Sequence, residues 1–382
     1  MNKLRLMRMW GGILAVGACV LAMSAGCDRG ATAETPIQLV DGAEAHTGEA
    51  DRRAEAPPPR KGLEQEGLLI GEYQLADDPV VDGDTIRVEG VDDSIRLLSI
   101  DTEEKLHGKA DRAAAEKDFG QYMKKKRGNA PRPQKAGTPM GEEATEFAKA
   151  FFEGAEAVRL ERDDPKEIRG HFGRLLAYAF VKKNGRWTSY NVECVRSGMS
   201  PYFTKYGYSH RFHNQLTHAE AEARQAKRGI WDPDAKGYGD YDERRAWWNA
   251  RADFIRAFEH EANRRDDYVL LSHWDAPAEL EGRLGQEVTI LSTVDDIRHF
   301  KGLVRVSLAR QRGDGFPVVF FDEDVFRQSG IDRYKREPVA VRGTVERYEK
   351  GRYRTLQVVV KDPAQVVLAR LPWPDDVKQA AE

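Results

Sequence analysis

Apolar and polar residues alternate from about Leu68 onward, and turn residues at Asp82-Gly83 and across 90–93 cut that alternation into β-hairpins. The period then changes. Ala144, Phe147, Ala148 and Phe151, and further on Leu216, Ala219, Ala223, Ala226 and Ile230, recur at helical spacing. Between these helices, "RLLAYAFVKK" and "TSYNVECV" read as strands. Hairpins, helix, strands and helix in that order predict a small β-barrel braced by helices over 66–235, closing near Trp231-Asp232-Pro233. Residues 236–264 form a predicted helical connector, with Trp247, Trp248, Phe254, Ile255 and Phe258 on one broad apolar face.

A second β-rich unit is expected over 265–372, with 373–382 as a tail. Val288, Ile290 and Val294, then Val304, Val306 and Leu308, then Val339, Val341 and Val345, then Leu356, Val358 and Val360 alternate as strands with one buried face. Five strands, with the short helical piece "DEDVFRQSG" between the third and fourth, resemble an OB-fold, a barrel used to bind single-stranded nucleic acid or sugars. The expected fold class is therefore mainly β with α: an OB-like barrel with bracing helices, a helical connector, then a second OB-like barrel.

Three stretches fall outside the periodic pattern. Residues 1–26 read as an export signal, because Lys3, Arg5 and Arg8 precede an apolar run from Met9 to Ala25. The run ends in Ser24-Ala25-Gly26-Cys27, which resembles a bacterial lipobox. Cys27 would then carry lipid and hold the protein to a membrane at the periplasmic or extracellular face. The alternative is a plain secretory signal with an incidental cysteine. Residues 27–65, rich in Ala, Glu, Arg, Thr and Pro and without an apolar period, read as a disordered tether with a reach of roughly 30–40 Å. The insertion 105–138 holds ten Lys or Arg against Asp111, Glu116 and Asp118. It is either a solvated surface loop or a basic flap that approaches phosphates, and it begins directly after Glu104.

The net charge of -3 gives no sign of nucleic-acid binding, so local charge has to carry any such case. With Cys19 and Cys27 in the leader region, Cys194 is left as one ordinary thiol, and internal disulfides contribute nothing.

The stretch "VVDGDTIRVEGVDDSIRLLSIDTEE", residues 80–104, gathers acids that should repel unless they are simply solvated or converge on something positive. It contains Asp82-Gly83-Asp84-Thr85 and then Arg96-Leu97-Leu98-Ser99-Ile100-Asp101-Thr102-Glu103-Glu104. Gly173-Arg174-Leu175-Leu176-Ala177-Tyr178 and a closing "AKRGIWDP" follow. In that order, these segments resemble the thermonuclease, or staphylococcal-nuclease-like, family over about 66–233.

The resemblance implies a Ca²⁺-dependent phosphodiesterase that acts on single-stranded or frayed DNA or RNA and leaves 3′-phosphate and 5′-hydroxyl ends. Asp84 and Asp101 would supply carboxylate oxygens to Ca²⁺, joined by the Thr102 carbonyl and waters. Glu104 matches the position that activates or positions the attacking water. Arg96 and Arg174 match the two arginines that clamp phosphate oxygens. His171, Phe172 and Tyr206 fall where substrate contacts are expected, and Tyr202 is open between substrate contact and packing.

Period-2 geometry adds a condition. Arg96 and Asp101 are five residues apart, so a flat strand would send them to opposite faces. The chain must therefore bend around 99–102. The family's usual proline is replaced by Glu103, which is expected to loosen the turn that sets Glu104. No zinc spacing, Gly-rich phosphate loop or nucleophilic cysteine pairing is present, so no small-molecule cofactor is expected, and the chain is expected to be a monomer. The rival reading is a catalytically inactive nuclease fold that binds nucleic acid or protein.

Overall fold

In the computed structural model, residues 67–167, 170, 174–310 and 315–373 are described. They build two β-sheets and eight α-helices, a mixed α+β protein. In the first sheet a bent strand is split into β1 (Leu69–Tyr73) and β2 (Leu75–Asp82). β3 (Thr85–Val88), β4 (Ile95–Leu97), β5 (Ala157–Glu161), β6 (Leu175–Lys183) and β7 (Arg186–Ser189) follow. The order is β1-β5-β6-β4-β3-β2, with β7 on β6. Because β1 and β2 are two halves of one bent path, β5 and β3 lie on either side of it and the sheet curls toward closure. β4 and β6 pair in parallel, every other pair on this path being antiparallel. Ile86, Ile95, Leu97, Val158, Leu160 and Ala177 fill the interior.

The basic insertion is structured where no periodicity announced it. It holds α1 (Gly108–Lys117) and α2 (Phe119–Arg127). Asp118 caps α2 by accepting from the Gln121 amide at 2.9 Å. These helices cover little apolar surface beyond Leu106, Ala115 and Tyr122, and so their sequence reads as solvated.

The predicted helix around 144–151 is α3 (Pro139–Phe152), started by Thr138 as N-cap and Pro139 in the first turn. The strand expected over "TSYNVECV" is a correction: β7 ends at Ser189 and α4 (Tyr190–Arg196) begins there. Ser189 accepts from the Val192 amide, and Tyr190, Asn191, Val192, Cys194 and Val195 are all buried, so tertiary packing overrides the β-preference of Tyr and Val. The later helix, α5 (His213–Gln225), stops before Ala226 and Ile230. Lys227 and Gly229 take positive φ, and Ile230 lies in a short 3₁₀ turn.

The connector helix is α6 (Tyr241–Ala262). The second sheet comprises β8 (Tyr268–Leu270), β9 (Glu287–Phe300), β10 (Leu303–Leu308), β11 (Phe316–Phe320), β12 (Pro338–Lys350), β13 (Tyr353–Val360) and β14 (Val366–Leu368). Helix α7 (Ala276–Glu281) precedes β9, and α8 (Glu323–Ser329) lies between β11 and β12. Pairings β9–β10–β11–β13–β12–β9 close a five-stranded ring, with β11 and β13 parallel. This is the OB-like order expected from the alternation. Each residue of the four alternating sets is buried except Leu356, which is partly so. β11 escaped the alternation because all five of its residues are buried.

Helix α6 serves both barrels. Trp247 and Trp248 pack in the second core, while Tyr241 reaches the first barrel. Arg251 is almost fully buried and pairs with Glu337, which also accepts from Trp247 Nε1 at 3.0 Å. Arg251 also donates to the Lys205 carbonyl at 2.9 Å, tying the first barrel's loop to the second.

Candidate active site

The site begins at the turn joining β2 to β3. The Asp82 carboxylate accepts from the Asp84 amide at 3.1 Å, an Asx turn that delivers Asp84 to the start of β3. Gly83 is required there, since a Cβ would stand 2.7 Å from Thr102 Cγ2. The buried Asp84 carboxylate accepts from Thr85 Oγ1 at 3.0 Å and from the Thr102 amide at 3.1 Å. Asp84 and Thr102, eighteen positions apart, are thereby pinned together.

The required bend is present at Ser99, whose φ of 61° lies in the left-handed region that non-glycine residues rarely enter. Its hydroxyl lies 2.8 Å from the Tyr178 hydroxyl, and its carbonyl accepts from the Phe203 amide at 3.0 Å. Past the bend, the Asp101 amide donates to Ser200 Oγ at 2.8 Å. The turn brings Asp101 back to the side of Arg96. One guanidinium then bridges both acids: Arg96 Nη2 lies 2.5 Å from Asp101 Oδ1, and Nη1 pairs with Asp84 Oδ1. The acids of the opening stretch do converge on positive charge, and that charge belongs to the chain itself.

A second cation was missed. Lys135, from the basic insertion, places its ammonium 2.9 Å from Asp101 Oδ1 and 3.1 Å from Glu104 Oε1. Burial pushes the Asp101 carboxyl up, but Lys135 and Arg96 outweigh it and hold the group below its ordinary value. Burial pulls the Lys135 ammonium down, and Asp101 with Glu104 more than offsets this. Lys205 stands near enough to Asp101 for the two charges to influence one another. Burial, reinforced by Arg251, lowers its ammonium to about 8. The composition of the insertion was the available signal for Lys135; nothing marked Lys205.

The expectation that Glu103 loosens the turn is overturned. It is 1% exposed, and its carboxylate accepts from Thr138 Oγ1 at 2.5 Å, the Tyr238 amide at 2.7 Å and Tyr241 Oη at 2.9 Å. Burial raises this carboxyl to about 7 despite the three donors. Glu103 thus fastens the site loop to the end of the insertion and to α6. The loop is also clamped from the other side. At Gly141, in the first turn of α3, a Cβ would stand 2.1 Å from the Glu104 carbonyl oxygen. Glu104, next in sequence, is left with a partly exposed side chain facing Lys135.

The remaining predicted residues are placed unevenly. The parallel β4–β6 register sets Arg96 beside Leu176, so Arg174, two residues earlier, starts on the sheet face from which Arg96 projects. Arg174 is exposed, and among the described residues no ion pair joins it to Asp84 or Asp101. Tyr206 is 71% exposed, with its ring centroid 5.7 Å from that of Phe203 and 5.8 Å from Lys205 Nζ. Tyr202 is a packing residue: its buried hydroxyl accepts from the Ser209 amide at 2.8 Å and lies 3.1 Å from His213 Nδ1. His171, Phe172 and Cys27 lie outside the described residues. Cys194 is buried, and burial pushes its thiol to about 12, which excludes it as a nucleophile.

The residues fit a hard divalent cation in one respect: two buried carboxylates aim at a common point that a single guanidinium can span. Among the described residues, no group of three or more His, Cys, Asp or Glu side chains gathers to hold a metal. The remaining ligands of a Ca²⁺ would have to be backbone oxygen and water.

Residues 94–233 match the family described as staphylococcal nuclease homologue, which assigns a nuclease-fold domain to the part of the chain that holds Arg96, Asp101, Glu104 and Arg174. The chain is also 30% identical, over 167 residues, to an uncharacterized protein of Bacillus anthracis. The aligned stretch covers 43% of this chain and 63% of that relative.

Proposed function

We propose that the first barrel hydrolyses phosphodiester bonds of single-stranded or frayed DNA or RNA in a Ca²⁺-dependent reaction, leaving 3′-phosphate and 5′-hydroxyl ends. The observation that carries this reading is the convergence of Asp84, Asp101 and Arg96 beside Glu104, across a strained bend at Ser99. Strain of this kind persists only where surrounding contacts over-determine it, and it clusters at working sites.

Once a divalent ion takes Asp84 and Asp101, Arg96, released from the two acids that it now bridges, would offer a planar fork for phosphate oxygens, with Arg174 starting on the same sheet face. Glu104, partly exposed at the rim, can accept a hydrogen bond from a water and hold it for in-line attack on phosphorus. A divalent ion on Asp84 and Asp101 would supply charge neutralisation and orient that water. The exposed Tyr206 is placed to stack on a base, a contact that tolerates any sequence.

The second barrel helps to hold the strand in this reading. Its hairpin between β12 and β13 exposes Tyr348 and Tyr353, ring centroids 6.2 Å apart, amid Arg347, Lys350, Arg352 and Arg354. Export and lipidation at Cys27 would place the enzyme on the outer side of a membrane, and mass spectrometry of the mature N-terminus tests that part.

One observation favours the non-catalytic alternative: the Lys135 ammonium already pairs with both Asp101 and Glu104. Incubating the protein with single-stranded DNA, in Ca²⁺ or in chelator, separates the two readings. Cleavage in Ca²⁺ that chelator stops is expected. Cleavage that chelator leaves untouched would remove the Ca²⁺ mechanism, and tight binding without cleavage would favour the binding module.

A further inference from the structure

Lys135 is not a wandering surface lysine. The backbone on either side of it is fixed. The Gln134 carbonyl accepts from Arg244 Nη2 at 2.6 Å, and the Ala136 amide and carbonyl both bond the Tyr238 hydroxyl, at 3.0 and 2.8 Å. Gly137 bridges to Glu104, and a Cβ there would stand 2.4 Å from the Lys105 carbonyl oxygen, so no other residue fits the passage. Three residues upstream, Arg132 is docked against the second barrel. Its guanidinium lies 4.2 Å from the Trp373 ring and 5.1 Å from the Trp247 ring, with Nε 3.4 Å from Glu337. The segment 132–138 is a strut fastened at both ends, and it aims one ammonium at the two carboxylates nearest the proposed chemistry.

We propose that Lys135 is a tethered cation that competes with a divalent ion for Asp101 and Glu104, and so sets how much of that ion the site needs. The proposal rests on the reading that Asp84 and Asp101 take Ca²⁺. The physical basis is direct. A divalent ion arriving at Asp101 meets an ammonium already 2.9 Å from Oδ1, and like charges a few ångströms apart in a half-shielded site repel strongly. Binding therefore requires the ammonium, like the Arg96 guanidinium on the same oxygen, to move aside, and the Lys135 side chain is exposed enough at the rim to do so. Because the strut holds the lysine backbone in place, the local concentration of this competitor is fixed and does not dilute. Removing the charge removes the competition while leaving the carboxylates in place.

The test is calorimetric titration of Ca²⁺ into the full chain and into Lys135→Met, which keeps the alkyl stem, with Lys135→Gln as a second neutral variant and Lys135→Arg as the charge-retaining control. Melting midpoints would verify that all three variants are folded. The expected result is at least tenfold tighter Ca²⁺ binding in both neutral variants, affinity close to that of the wild type in Lys135→Arg, and loss of binding when Asp84→Asn is added. Unchanged or weaker binding in the neutral variants, with Ca²⁺ still bound by the wild type, overturns the competition and leaves the Ca²⁺ reading standing. Absence of Ca²⁺ binding in every variant overturns both.

Discussion

The two barrels share a connection order and differ in what stands on it. In each, the third strand of the ring pairs in parallel with the fifth: β4 with β6, and β11 with β13. At the middle of that parallel-paired stretch the first barrel has Arg96 between buried Ile95 and Leu97. The second has Val319 between buried Val318 and Phe320. The first barrel then turns through Ser99 to bring two acids onto its arginine, whereas the second passes from Phe320 into α8 with no such bend. The comparison teaches that this topology offers a place for a site without creating one. What sets the first barrel apart is a charged residue at one strand position and a strained turn that folds acids back over it.

The sharpest way to break this comparison is to make the first barrel resemble the second. Arg96→Ala is expected to lower DNA hydrolysis by about 10³-fold, by analogy with the loss of a transition-state donor. It should leave a folded protein, and steady-state rates with a melting curve check this. Activity within tenfold of the wild type would show that the arginine is a structural counter-ion only.

The link between the barrels is probed next. Glu337→Ala leaves the almost fully buried Arg251 without its partner, which should cost about 3–5 kcal/mol of stability, read from denaturant unfolding. Survival of the native midpoint would mean that the barrels do not depend on this pair.

A comparable effect follows from Glu103. Its folded value of about 7 lies above the ordinary carboxylate value, so between pH about 4.5 and about 7 the folded chain keeps a proton that the unfolded chain has released. The contribution of Glu103 to stability is therefore greatest below that window and is lost as pH rises through it, by about 3 kcal/mol in total. Unfolding free energies at pH 5 and pH 8 should differ by about that much more in the wild type than in Glu103→Gln; equal pH dependence would show that Glu103 stays ionised in the fold.

The smallest effect concerns the second barrel. Tyr353→Ala is expected to weaken single-stranded DNA binding by about 1–3 kcal/mol while leaving kcat unchanged. A fall in kcat would instead make the second barrel part of the reacting site.

Much of this protein was legible in its residues because periodicity reports directly on burial. The alternation of Val288, Ile290, Val304, Val306, Val339 and Val341 marked the second core, and Trp247 and Trp248 marked α6. The motif order pointed to Asp84, Arg96 and Asp101, which the fold does bring together, and the five-residue spacing of Arg96 and Asp101 demanded a bend that Ser99 supplies. What only the tertiary structure decided has a common cause: contacts between residues far apart in the chain leave no period. Local β-preference could not foresee α4, whose residues are buried against the barrel. The insertion's charges could not say that Lys135 faces inward to Asp101, thirty-four positions away, while Arg132 faces the second barrel. Nor could Glu103, read as a loosened turn, disclose that Thr138, Tyr238 and Tyr241 would close around it. A charge finds its partner in space, and the sequence records only that the charge is there.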